Sequence, residues 1–407
     1  MSSIPAPGVR VLLGHRPFLF YISARAFSRF AAQISAVAVG WQVYALTHSA
    51  FALGMVGLAQ FLPTALLVFI AGHAADRYER KRVVQICQIV EGLTATFLMA
   101  GNLGGWLTVG EIFAAVAVFG AAMAFESPAS AALLPTIAPE GMLQKATAVG
   151  TAAFQFAVIT GPALGGFAYA VGPAVPYAVM AVCWLVGGLL IGAIKQERAA
   201  VAKEPPTIAA LFAGVDFVRR NPAILGTISL DLFAVLLGGA TALLPIYARD
   251  ILHTGPWGLG LLRGAPAIGA LIMTAWLARH SITRRVGMRM FQTVILFGVA
   301  TMVFAVSHLI WLSLLALAVM GASDTVSVVI RISLVQLATP DAMRGRVSAV
   351  NFLFINASNQ LGEFESGITA ALLGPVAAAF LGGLGTVFVA LLWMKLFPAL
   401  RQVERLE

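Results

Sequence analysis

Residues 72–82 read Gly72-His73-Ala74-Ala75-Asp76-Arg77-Tyr78-Glu79-Arg80-Lys81-Arg82. Small residues lead into one acid and then a cluster of basic side chains, and the whole stretch is flanked by apolar runs at 52–71 and 83–101. A charged side chain at the centre of a bilayer helix costs about 2.5–3.5 kcal/mol even on insertion scales. The stretch therefore emerges into water, and the runs on either side cross the membrane. Its small residues suit a tight turn. Asp76 is short enough to meet the positive N-terminus of a neighbouring helix, and the arginines can bridge to carboxylates or lipid phosphates.

The rest of the chain agrees with this local picture. Hydrophobic residues make up 60% and charged residues 11% of the 407. With 40 glycines added, the apolar share is about 70%, against roughly 45–50% for soluble globular proteins. So few charges cannot cover a core of that size, which excludes soluble, disordered, fibrous and nucleic-acid-binding classes. A spanning helix takes about 20 apolar residues, and the runs between Gly, Pro and charge clusters predict twelve: 18–46, 52–71, 83–101, 107–125, 145–170, 174–194, 223–248, 259–278, 290–306, 309–334, 347–373 and 376–397. Lys195, Glu197, Arg198, Lys203, Glu204, Pro205 and Pro206 interrupt the pattern. The expected organisation is thus an N-terminal six-helix bundle at 1–194, a cytoplasmic linker at 195–222 and a C-terminal six-helix bundle at 223–407. Within the linker, Ile208, Leu211, Phe212, Val215 and Phe217 alternate with Asp216, Arg219 and Arg220, a pattern for a short helix lying on the membrane surface.

Direction follows from the basic residues, which concentrate in cytoplasmic loops. Most of the 26 lysines and arginines fall on one side if the N-terminus is inside, with Arg249 and Arg263 left to the outer loops. Both termini are then cytoplasmic, as an even number of spans requires, and the first run, which lacks a small-residue cleavage site, is a span and not a removable signal. Cys87 and Cys183 fall within spans, so neither a disulfide nor a thiolate metal site is expected.

The two halves are related. Ala132–Val149 aligns without gaps to Ser333–Val350 at an offset of 201, matching Pro139 to Pro340, Glu140 to Asp341 and Met142 to Met343. The same offset carries Gly161, Gly165 and Gly166 onto Gly362, Ser366 and Gly367. Six helices repeated in parallel imply two bundles related by an axis along the membrane normal, with a central cavity expected between them.

With the turn at Gly72–Arg82 placed between the second and third spans, its pattern resembles the loop signature of the major facilitator superfamily: glycine, three residues, an acid, a base, then further basic residues, with Glu79 where a glycine is usual. Gly161-Pro162-Ala163-Leu164-Gly165-Gly166 resembles the core of that superfamily's antiporter signature, although Ala157 stands where an upstream glycine is expected. Trp41-Gln42-Val43-Tyr44, Pro340-Asp341, Arg344-Gly345-Arg346-Val347 and Asn359-Gln360-Leu361-Gly362-Glu363 are similar to a branch of bacterial exporters that includes the enterobactin exporter. The resemblance covers essentially the whole chain. It implies an all-α polytopic protein of the bacterial inner membrane with twelve transmembrane helices in two pseudo-symmetric bundles. It also implies that Gly72, Asp76, Arg77, Arg80, Lys81 and Arg82 latch the cytoplasmic side shut. One departure is that the fourth span, 107–125, lacks the arginine found in many proton-coupled drug exporters and has only Glu111 near its outer end.

Charges inside spans are costly and usually face a cavity. Arg25, Arg29 and Gln33 recur every four residues on one face of the first span. Asp231 sits in the seventh, Asp324, Ser327 and Arg331 share a stripe of the tenth, and Asn356, Asn359 and Glu363 share one of the eleventh. These nine side chains other than Ser327 are the expected walls of a cavity for substrate or protons, with the arginines suited to an anionic or catecholate-like molecule. Asp231, Asp324 or Glu363 is the expected proton carrier, and an ion pair such as Arg29 with Asp231 is the structural alternative. Glu91 is a further candidate, whereas Glu126, beside Pro128, reads as structural. No nucleotide loop, nucleophile motif or metal-spaced His cluster occurs. The expected function is a secondary active exporter of a small siderophore-like or drug-like molecule, not an enzyme, working by alternating access as a proton antiporter, with a proton-coupled importer or lipid flippase of the same fold as the alternative. No cofactor or metal is expected beyond the proton gradient as energy source. The expected partners are a small-molecule substrate and the bilayer, with no nucleic acid, and the expected state is a monomer.

Overall fold

Each apolar run folds as a helix, because hydrocarbon offers no water to the backbone and a helix satisfies its N–H and C=O groups internally. The computed structural model describes residues 9–195, 215–280, 282 and 284–404. The long helices are α1 (Arg16–Thr47), α2 (Ala50–Arg77), α3 (Arg80–Gly104), α4 (Val109–Ile137), α5 (Leu143–Val171), α6 (Val175–Ala193), α7 (Pro222–Leu237), α8 (Gly255–Leu277), α9 (Val286–Ala305), α10 (Ile310–Ala338), α11 (Asp341–Leu373) and α12 (Pro375–Leu396). Eleven helical segments among the described residues are long and apolar enough to cross a membrane. The twelfth, α11, has 33 residues and is more polar because Arg344, Arg346, Glu363 and Glu365 lie along it. Leu66, Val171, Trp311 and Leu372 are exposed, as a lipid-facing surface requires.

Several boundaries differ from the hydropathy pattern for identifiable reasons. The Gly72–Arg82 stretch is not a long turn: α2 runs on to Arg77 and α3 starts at Arg80, leaving Tyr78 and Glu79 as the connection. Helix α4 continues well past the predicted residue 125, through Pro128 and Pro135 to Ile137. Its start is fixed by a capping box in which Thr108 and Glu111 satisfy each other's backbone donors, so Glu111 serves the helix end. The seventh span is not one continuous helix over 223–248. After α7 come Gly238 and Gly239, a 3₁₀ turn at Ala240–Leu243, a short helix at Leu244–Ile246 and a π-helical turn at Tyr247–Ile251. A Cβ at Gly239 would lie 2.7 Å from the Gly362 carbonyl oxygen, so the break is where α11 approaches the backbone. Thr386 donates to the Ala234 carbonyl at 3.0 Å nearby. The surface helix predicted from residue 208 lies mostly outside the described residues. Its end, 215–220, is helical, with Val215 and Phe217 packed against a core of Val218, Ile224, Ile228, Val335, Val347 and Val350.

The chain divides into two compact units, Met1–Val39 with Leu62–Pro205, and Gly40–Phe61 with Pro206–Glu407. The hairpin Gly40–Phe61 therefore packs with sequence from the second half. Within the first unit α3 packs on α6 and α4, and within the second α9 packs on α12 and α10, the same relation displaced by the sequence offset. The small residues repeat the relation. A Cβ at Gly161 of α5 would come within 2.7 Å of Gln33 Cβ on α1, and one at Gly362 of α11 within 3.0 Å of the Leu236 carbonyl on α7. Close helix approach through such residues is how bundles gain packing contacts in lipid.

Candidate functional site

Helical spacing puts Tyr21, Arg25, Ser28 and Arg29 on the same side of α1, facing α4. There they meet Met123, Glu126, Ser127 and Ser130, and Arg25, Ser28 and Arg29 share with these four an open cavity of ≈320 Å³. Arg25 Nη1 donates to Tyr21 Oη at 2.8 Å, and Tyr21 donates in turn to the Ser130 carbonyl at 2.9 Å. Arg29 lies over the Phe154 ring at 5.2 Å, and the charges acting on it are Glu126, Arg25 and Glu91. Glu126 accepts from Ser28 Oγ at 3.1 and 3.2 Å and from Gln88 Nε2 at 2.8 Å. Two arginines, hydroxyls and a hydrogen-bonded carboxylate within a bilayer span form a site able to bind a polar or anionic molecule.

The second unit carries a counterpart between α7 and α10. Asp231 and Arg331 form an ion pair, both buried at 9% and 3% exposure. The pair borders a cavity of ≈270 Å³ whose lining includes Asp231, Thr293, Phe297, Ser323, Asp324 and Ser327. Asp231 thus has its partner within its own unit, and the alternative pair with Arg29 is replaced. The offset of 201 places Ser130 on Arg331 and Glu126 on Ser327, and puts Asp231 one residue beyond the position of Arg29. The base lies on the first helix of one repeat and on the fourth helix of the other.

A third polar group gathers around the hairpin of the second unit. Tyr44 hydrogen-bonds Asp250, and Arg249 lies 5.9 Å from the Tyr44 ring. A Cβ at Gly57 would lie 3.2 Å from Glu363 Oε2. Arg263 lies inside α8 and not in an outer loop as its charge suggests, it attracts Glu363, and its Nε has no hydrogen-bond partner.

Of the other expected residues, Gln33 packs where Gly161 approaches α1, and Pro162, Gly165 and Gly166 are buried along the same helix. Asn359 is exposed and its Nδ2 donates to the Ile355 carbonyl at 2.8 Å. The side chains of Gly72, Asp76 and Asn356 lie outside the description. In the loop motif Arg77 is exposed, Arg80 donates to the Ala132 carbonyl at 3.1 Å and Lys81 to the Ile194 carbonyl at 2.6 Å. Arg82 pairs with Glu79 at 2.6 Å in an exposed bridge, a kind of contact worth little. Sequence reasoning read Glu126 as structural, noted Tyr44 only within the Trp41–Tyr44 motif, and passed over Gln88, Ser28 and Asp250. Pro128 drew Glu126 towards a helix end, although the residues beyond it, Ala129–Ile137, carry no charge and continue the span.

Comparison with known proteins agrees with this architecture. The family model described as Major Facilitator Superfamily matches residues 21–363. The enterobactin exporter EntS of Citrobacter koseri is 26% identical over 97% of this chain and 95% of its own length, and that of Escherichia coli O1:K1 is 24% identical with the same coverage. Among solved structures, the POT family transporter PepTSo superposes with a TM-score of 0.75 at 12% identity, covering 95% of this chain and 98% of that one. A bacterial homologue of the iron transporter ferroportin gives 0.68 at 18%, covering 93% and 98%. Fold, span pattern and sequence match converge: the chain belongs to the major facilitator superfamily and is a multi-pass membrane transporter, not an enzyme.

Proposed function

We propose that the protein is a secondary active exporter that moves a small organic molecule out of the cell by alternating access, in exchange for protons flowing in. The observation that carries this is the cavity of α1 and α4, where Arg25 and Arg29 face Glu126 and three serines within the span region. Arginine forks and hydroxyls at that depth suit a molecule bearing catechol or carboxylate oxygens, and the similar exporters are named for enterobactin. The siderophore-like class is therefore preferred to a generic drug-like one. The excess of Lys and Arg on one side supports cytoplasmic termini in a bacterial inner membrane, and the basic cluster after Asp76 supports a latch on that side. Asp231 is compensated by Arg331, which leaves Asp324, Glu363, Glu91 and Glu126 as acids available for coupling.

The test is flux in proteoliposomes with iron-free enterobactin as probe. Vesicles made acid inside should accumulate the probe severalfold faster than vesicles at equal pH, and a protonophore should abolish the difference. Accumulation driven instead by an acid exterior would overturn antiport and favour an importer.

A further inference from the structure

Helix α3 presents Gln88 and Glu91 one turn apart, and both are almost fully buried, at 1% and 4% exposure. The Gln88 amide nitrogen donates to Glu126, which also accepts from Ser28. Two donors thus converge on the Glu126 carboxylate. The opposite problem exists a turn away: Gln88 Oε1 and Glu91 Oε2 are both buried acceptors with no donor. The amide oxygen is also hemmed in, since a Cβ at Gly187 of α6 would lie 2.7 Å from it. Leaving such acceptors unpaired carries the full desolvation penalty.

The charges facing Glu91 are Glu126 from α4 and Arg29 from α1. Cys87 on its own helix feels both acids, and α6 brings no charged side chain to α3. Arg25 is engaged with Tyr21. With Glu91 ionised, its carboxylate faces that of Glu126 while its own Oε2 has no donor. Protonating Glu91 removes that repulsion and adds an O–H on the same helix face as the unpaired Gln88 Oε1 three residues back.

We infer that Glu91, with Gln88 and Glu126 beside it, is a proton-binding site in the first unit, distinct from the acids of the second. The proton comes from water and returns to it, with no other bond made or broken. Glu126 lines the open cavity and is hydrogen-bonded to Gln88, one turn from Glu91, so the proton's route to the site runs from the cavity past this pair. The inference rests on the proton-coupled reading above, but its first test does not need a substrate.

Infrared difference spectra of the purified protein in lipid nanodiscs, titrated from neutral to alkaline pH, should show loss of a protonated-carboxyl C=O stretch. That band should be missing in Glu91→Gln and retained in Asp324→Asn. An unchanged band in Glu91→Gln overturns the assignment. Glu91→Asp guards against a folding defect: it should shift the band or its midpoint, and a wild-type spectrum would overturn the site equally. Flux of iron-free enterobactin then separates the two claims. If the pH gradient drives wild type and Glu91→Gln alike, coupling stands and this site falls. If the wild type ignores the gradient while the band still assigns a proton to Glu91, the coupling reading fails and the site stands.

Discussion

Asp231 and Arg331 show how much a single residue's partner matters in this membrane interior. Removing one member of a buried ion pair leaves the other charge without compensation and typically costs about 3–5 kcal/mol, whereas replacing both with apolar groups of similar size is often neutral or better. Asp231→Asn and Arg331→Met should each lower the unfolding midpoint in detergent by that order, and Asp231→Leu combined with Arg331→Met should recover much of the loss. A double variant as unstable as the sum of the singles would show that the two side chains act independently. Both residues were legible in the sequence as intramembrane charges, because an ionisable residue in an apolar run is conspicuous. Their pairing was not, since it depends on which faces of α7 and α10 meet. The depth of Glu126 in its helix was not legible for a related reason: Pro128 resembles a helix end, yet the helix continues past it through apolar residues to Ile137.

At the scale of elements, hydropathy located the spans because each helix must bring about 20 apolar residues to the bilayer. Helices run past the predicted bounds mainly where charged turns remain helical outside it, as at Asp341–Val347. The interruption after Leu237 had a signal in the Gly238-Gly239 pair followed by Pro245, but hydropathy averages over such a pair. The glycine motif of α5 is a packing device whose force can be measured. Gly161→Val places new carbon against Gln33 and should destabilise the protein by about 1–3 kcal/mol, the usual cost of overpacking. Gly110→Ala, where the nearest atom to the new carbon is Thr108 Oγ1 at 3.9 Å, should leave the unfolding midpoint unchanged or slightly raised. Equal losses in the two variants would mean that contact with α1 does not decide the outcome at Gly161.

For the whole molecule, the repeat was legible from the offset alignment, and its packing reappears in the matched contacts of α3 and α9. The membership of Gly40–Phe61 was not legible, because no local pattern says which distant helix a hairpin will meet. At Gly54 and Gly367 the backbones come so close that a Cβ at either would fall within 3.0 Å of the other's Cα. Covalent continuity through 196–214 is therefore not what holds these pieces together. A single protease cut introduced there should leave both fragments co-eluting in mild detergent, and clean separation would show that the hairpin contacts are too weak to matter. The reversed placement of acid and base between the repeats has a consequence for how the gene can be reshuffled. A chimera built from two copies of the first half would inherit two arginine cavities and two Glu91 positions but no Asp231–Arg331 pair, so the duplicated halves have become complementary parts that are no longer interchangeable.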